Sequence, residues 1–160
     1  MANGGCGARH AMGTGYGDAS AATAQPAAPA AATDSGSKSN SDIVGVYQGT
    51  TRAYCIHTVP SRCNAVQDVT ITLTEDGNSK IGGSYRCAYG NMVCYNLNQT
   101  GKVMEAAVNG SRLTIRVLMP DGTSCIFSGP NNDGNINGGY SCYTGGSLLE
   151  QGMWRAKKAY

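Results

Sequence analysis

The sequence predicts an all-β fold, an antiparallel up-and-down barrel of about eight strands stapled by disulfides and preceded by a disordered N-terminal tether; three observations carry that expectation. From residue 43 onward apolar side chains alternate with polar ones. Val69, Ile71 and Leu73 interleave with Thr70, Thr72 and Thr74, and Leu113, Ile115, Val117 and Met119 occupy every second position. A period of two places such residues on one face of an extended strand. Turn chemistry recurs between these runs, at Asp76-Gly77, Gly90-Asn91, Asn109-Gly110, Pro120-Asp121-Gly122, Asp133-Gly134 and Gly145-Gly146. Gly, Asn and Asp tolerate the left-handed backbone that tight hairpins require. Finally, two heptapeptides read almost alike, Ile81-Gly82-Gly83-Ser84-Tyr85-Arg86-Cys87 and Ile136-Asn137-Gly138-Gly139-Tyr140-Ser141-Cys142, each with Ile, Gly, Tyr and Cys at alternate positions.

Taken in order, residues 1–41 consist of Ala, Gly, Ser, Thr, Pro and Asn with isolated larger side chains such as Met12 and Tyr16. Such a segment buries too little apolar surface to offset the entropy of ordering, and it reads as a flexible tether. Residues 42–160 form the barrel domain, with eight or nine strands near 43–54, 66–74, 79–88, 92–97, 102–108, 111–119, 123–129, 135–143 and 148–157. Consecutive hairpins with one apolar face must close or stack, and a barrel also removes the open edges.

The turns set the register. A three-residue Asp76-Gly77-Asn78 loop pairs Leu73 with Ile81 and Val69 with Tyr85, and a two-residue Asn109-Gly110 loop pairs Ala106 with Leu113 and Met104 with Ile115. Glu105 then faces solvent. A bulged Pro120-Asp121-Gly122 loop pairs Val117 with Cys125 and Ile115 with Phe127. A two-residue Asp133-Gly134 loop puts Phe127 opposite Tyr140 and Cys125 opposite Cys142 at a non-hydrogen-bonded pair, where side chains are closest, so a cross-strand disulfide is expected there. By the same logic Cys87 faces Gln67 and needs a partner elsewhere. Cys94, across the Gly90-Asn91 turn, is the nearest, which leaves Cys55 with Cys63; six cysteines permit about fifteen pairings.

Seven cysteines, six of them after residue 42, favour an oxidising, extracytoplasmic location: periplasm, outer membrane or secreted. Zinc would call for C-x₂₋₄-C pairs, which these spacings do not supply. No apolar run of about eighteen residues spans a membrane. A net charge of +2 with 14% charged residues gives no field that implies nucleic acid or an anionic membrane as partner. Arg155, Lys157 and Lys158 read as solvated charges of an end strand.

Candidate chemistry is sparse. His10 lies in the tether, and His57 sits between Cys55 and Cys63 with no nucleophile elbow near it. Of the glutamates, Glu75 lies in a turn and Glu105 points outward, so paired-carboxylate chemistry finds no frame. Glu150 has two readings: a three-residue connection after Tyr143 turns it inward opposite Tyr140, and a two-residue connection, the preferred one, turns it outward beside Ser141. The Asp-containing turns lack the alternating ligands of a calcium loop. No cofactor or metal is expected. Asn98-Gln99-Thr100 and Asn109-Gly110-Ser111 match glycosylation acceptors by chance composition. Nine tyrosines against one Phe and one Trp are lopsided; Tyr85 and Tyr140 belong to the core, while Tyr89, Tyr95 and Tyr143 near turns form a candidate ligand rim, a flat apolar body with a polar tip.

Two resemblances add to this. Cys6 ahead of a small-residue spacer resembles the lipidated cysteine of bacterial lipoproteins, which implies membrane attachment through a lipid on Cys6 alone. Only five residues precede it, without a charged or apolar leader, so either a leader lies upstream of Met1 or Cys6 is an incidental thiol. Gly45-Val46-Tyr47 and Gly152-Met153-Trp154 are placed like the end-strand glycine and aromatic of the calycin group, lipocalins and avidins, and the domain resembles these in its implied small barrel. The expected function is a non-enzymatic, envelope-associated binding or structural lipoprotein, with a small ligand or an envelope protein as partner. The alternatives are an inhibitor or accessory of an envelope hydrolase, and a small hydrolase working through His57 or Glu150.

Overall fold

The alternating runs fold into eight strands, in a computed structural model that describes residues 39–55, 60, 63–87 and 100–160. They are β1 (Gly45–Ala53), β2 (Val66–Glu75), β3 (Ile81–Cys87), β4 (Thr100–Asn109), β5 (Arg112–Leu118), β6 (Ser124–Asn132), β7 (Asn135–Thr144) and β8 (Ser147–Lys158). Each pairs antiparallel with its sequence neighbour, and β8 returns to β1 to close the barrel. Closure leaves no strand edge unpaired, which is how an all-hairpin chain satisfies its backbone hydrogen bonds. The expected strand at 92–97 and the Gly90-Asn91 turn lie outside the described residues.

An eight-stranded barrel is just wide enough for side chains to fill. The filling here is aromatic. Phe127 packs at ring-centroid distances of 5.7 Å from Tyr85, 5.7 Å from Tyr140 and 5.3 Å from Trp154, the last edge to face. Tyr85 and Tyr140 are the tyrosines of the two heptapeptides, so the repeat brings its two copies onto one ring. In both copies Ile, Gly, Tyr and Cys point inward. The inward glycines are sites of close strand approach: a Cβ on Gly83 would lie 1.8 Å from the Thr72 carbonyl oxygen, and one on Gly138 would lie 2.1 Å from that of Ser128. Ile71, Leu73, Leu113, Ile115 and Val117 complete the buried wall.

Register follows the sequence closely from Pro120 through the β6–β7 hairpin and departs from it before. Val117 faces Cys125, Ile115 faces Phe127 and Phe127 faces Tyr140, as expected. Asp133 and Gly134 both take positive φ, 51° and 84°, the form a two-residue hairpin needs. In the β2–β3 hairpin, however, the loop begins one residue later, at Gly77-Asn78-Ser79, so Glu75 faces Ile81, Ile71 faces Tyr85 and Val69, not Gln67, faces Cys87. The cause is Asp76, whose N–H donates to Lys80 O at 2.9 Å and whose Oδ1 accepts the N–H groups of Asn78 at 2.8 Å and Lys80 at 2.9 Å, and the left-handed position falls on Ser79 with φ 59°. A slide of two leaves the inner face unchanged.

The β4–β5 loop shifts in the same way, to Gly110-Ser111 with Gly110 leading at φ 60°, so Ala106 meets Ile115 in place of Leu113. A bulge between Val103 and Glu105 then turns Met104 out of the wall. Expected in the core opposite Ile115, it is 53% exposed, and Val103 takes the inner position against Val117. The domain also starts earlier than residue 42. A 3₁₀ turn, Asn40–Ile43, is closed by Ser39 N–H donating to Asp42 Oδ2 at 2.8 Å, and Asn40 Oδ1 accepts Val108 N–H at 3.3 Å.

Truncating Phe127→Ala removes the ring that three others pack on and is expected to cost about 3–5 kcal/mol, read as a fall in the urea midpoint at constant slope. A loss below about 1 kcal/mol would place the core elsewhere. The Asp76 carboxyl is held below the ordinary aspartate value by the Lys80 and then the Asn78 backbone N–H, with the Lys80 charge a smaller help. Its stabilising effect on the hairpin is therefore complete above the unfolded-state value and is lost as pH falls through the lower folded one. NMR titration should give Asp76 a midpoint below that of the denatured chain, and an equal midpoint would refute the bonding.

Candidate functional site

Up-and-down topology sorts the connections onto two ends of the barrel, and the sequence treats the ends differently. At one end lie the tight turns 77–79, 110–111 and 133–134 together with the entry and exit of the chain. Ile43 is fully buried there, and its carbonyl accepts the Tyr47 hydroxyl at 3.0 Å. Burial pushes the Tyr47 phenol up, with a side-chain hydrogen bond to Asn131 opposing, so the hydroxyl stays a donor. The C-terminal tail completes the seal: Val46 N–H donates to Tyr160 O and Ala159 N–H to Val46 O, both at 2.7 Å, and Lys158 Nζ donates to Asp42 O at 3.0 Å.

At the other end lie the last residues of β1 and β3, the first of β2 and β4, the turns 119–123 and 145–146, and all the described disulfide cysteines. Cys125 and Cys142 are bonded across the β6–β7 pair with Cα atoms 4.0 Å apart, as the hairpin count requires. Cys55 and Cys63 close the connection after β1, Cα to Cα 4.4 Å. Cys87, the last residue of β3, is disulfide-bonded too, with Gln67 Oε1 3.6 Å from its sulfur; the expected partner Cys94 lies outside the described residues. So do Cys6, His10, His57, Tyr89 and Tyr95.

Inside this loop end sits Glu150, 5% exposed and the one buried acid among the described residues. The preferred outward reading is overturned. The β7–β8 loop does have two residues, Gly145-Gly146, both at positive φ, but one extra residue, at Leu149, bulges the ladder so that Tyr143 faces Leu148 and Cys142 faces Glu150. A bulge exchanges inside for outside. The signal was present: counting back from Ala156 and Trp154 through Gly152 reaches Glu150 on the inner face, whereas counting forward from the turn does not.

The Tyr140 hydroxyl donates to Glu150 Oε1. At the same end of the barrel Thr123 and Thr144 share a hydroxyl bond of 2.9 Å, and Thr51 is buried. Trp154 Nε1 has no hydrogen-bond partner among the described residues. Elsewhere the acids face water; Glu105, its side chain 67% exposed, approaches Arg116 at 3.9 Å. No group of three His, Cys, Asp or Glu among the described residues could hold a metal. The chemistry available at the loop end is a carboxylate–phenol pair, suited to accepting and donating hydrogen bonds.

Tyr143 lies just past the bulge on the outer wall, 37% exposed. It borders a depression of about 420 Å³ shared with Tyr54, Arg112, Ser141 and Gln151. Tyr54, 45% exposed, was missed in the sequence although it continues the outward alternation Gln48, Thr50, Arg52. No protein-family model, curated protein or solved structure matches this chain. No helix among the described residues is long and apolar enough to cross a membrane.

The Tyr140–Glu150 pair predicts a measurable coupling. Tyr140→Phe should cost about 1–3 kcal/mol because a buried carboxylate loses a donor. Combined with Glu150→Gln, the double-mutant cycle should return an interaction of at least about 0.5 kcal/mol in denaturant unfolding, and strict additivity would show that the pair is not a unit.

Proposed function

We propose that the chain is a non-enzymatic, extracytoplasmic binding or structural domain of the cell envelope, carried on its N-terminal segment. The observation that carries this reading is the polarity of the barrel. The chain enters at the sealed end, while the described disulfides and the buried carboxylate gather at the opposite one. The small-residue spacer ahead of Ser39 supports a tether, and the disulfides support an oxidising compartment. Tyr47 and Trp154, fully buried aromatics two residues after an end-strand glycine, support the calycin-like comparison as an analogy of architecture.

A second reading has one observation in its favour. The Cys55–Cys63 bond closes a short connection at the exposed end, and a covalently closed loop is preorganised to insert into another protein's cleft. On that reading the domain inhibits or assists an envelope hydrolase, and a stoichiometric complex with the enzyme distinguishes it.

The primary reading predicts that protein from its native cells fractionates with the envelope and that alkylation followed by mass spectrometry finds none of the six domain cysteines free. Free Cys125 or Cys142 in a cytosolic fraction would overturn it.

A further inference from the structure

The outer surface of the barrel is electrically lopsided. Outward positions of β5, β6, β7, β8 and β1 carry Arg112, Arg116, Arg155, Lys157 and Arg52, and no carboxylate. The acids of the described residues sit elsewhere. Asp68 and Glu75 are on β2, Glu105 on β4, and Asp76, Asp121 and Asp133 at the ends of hairpins; Asp42 lies under the sealed end and Glu150 inside. Asp68, opposite Thr50, marks one border of this wall, and the Glu105–Arg116 contact marks the other.

Between those borders the guanidinium groups are positioned by neutral partners. Arg112 Nε donates to Ser128 Oγ at 2.9 Å, and Arg155 Nε donates to Asn137 Oδ1 at 3.2 Å. A guanidinium has five N–H donors in a planar fork. Spending one on orientation keeps the others for a carboxylate, the acceptor that matches the fork best.

The wall is also grooved. The depression of about 420 Å³ beside Arg112 is flanked by Tyr54 and Tyr143, and a second of about 570 Å³ holds Arg155 among Gln48, Thr50, Asn135 and Asn137. They follow one another along β7, where Gly139 belongs to the first and Asn137 to the second. Gly139 faces outward between Ser128 and Met153 with no side chain, which leaves bare backbone at the floor. Exposed tyrosine faces, amides, hydroxyls and spaced guanidinium groups form a surface for a chain of flat, hydroxyl-rich rings bearing occasional negative charge.

Resting on the binding role proposed above, we infer that this wall binds an anionic polysaccharide, a sugar chain bearing carboxylate groups. A nucleic acid strand carries a charge on every nucleotide. Cations separated by neutral amides and hydroxyls suit a sparser polyanion, and tyrosine faces suit sugar rings.

The test uses the full, oxidised chain with a hyaluronan oligosaccharide, whose carboxylates fall on alternate rings, as probe, followed by calorimetry or fluorescence anisotropy. Binding is expected, with loss on methyl esterification of the probe and none to a neutral dextran oligomer. Arg112→Gln, Arg155→Gln and Tyr143→Ala should each weaken binding about tenfold, while Arg86→Gln on β3, away from this wall, should leave it unchanged. Absence of binding by the oxidised protein, equal binding of a single-stranded DNA oligonucleotide, or unaltered affinity in all three wall variants overturns the inference. An oxidised, envelope-located protein that ignores the probe sinks the ligand class alone, whereas a cytosolic protein with free thiols sinks the binding role with it.

Discussion

Phe127 is the chain's single phenylalanine, and the interior is organised around its ring. It touches the tyrosines of β3 and β7 and the tryptophan of β8, so strands far apart around the circumference meet on one side chain. A barrel of eight strands has a bore that a few aromatic rings fill, and without such filling the wall would enclose a void too small to hydrate well. Closure of β8 onto β1 and packing onto Phe127 are one event seen from the backbone and from the side chains. The register on either side must deliver Tyr85, Tyr140 and Trp154 to the same level, and the inward glycines Gly83 and Gly138 allow the neighbouring strands to approach closely enough for that.

The parts of the fold legible in the sequence are those governed by parity. Alternation fixes which side chains face inward, and a hairpin slid by two residues preserves it; the shifts at Asp76 and Gly110 therefore changed partners without changing the core. The features that escaped are those that break parity. The bulges at Met104 and Leu149 each insert one residue, and each sends a side chain to the face opposite the one expected. Alternation counted from a single turn carries no record of such an insertion. Counting from both ends of a strand does, since β8 read back from Ala156 disagrees with β8 read forward from Gly146, and the disagreement locates the bulge.

The candidate site was less legible than the fold because it is made of those exceptions. Glu150 is inside only through the β8 bulge, whereas Tyr143 lies on the outer wall by plain alternation from Cys142. By contrast the cysteines were read well where a turn fixed the count, as with Cys125 and Cys142. Elimination served for Cys55 and Cys63, and the facing residue of Cys87 moved with its hairpin from Gln67 to Val69.

The position of the staples has a mechanical side. Cys125–Cys142 joins β6 to β7, and Cys55–Cys63 closes a connection on itself, so neither ties β1 laterally to a neighbouring strand. A pull on the chain ahead of Ser39 enters at the opposite end, through Gly45 and Val46, and meets the hydrogen-bonded rungs of β1 to β2, β8 and the Tyr160 carbonyl in succession. Load is then borne one rung at a time, as in opening a zip, and the covalent bonds are reached last. Under tension from its N-terminus, the domain yields first at its seal and keeps its stapled end intact the longest.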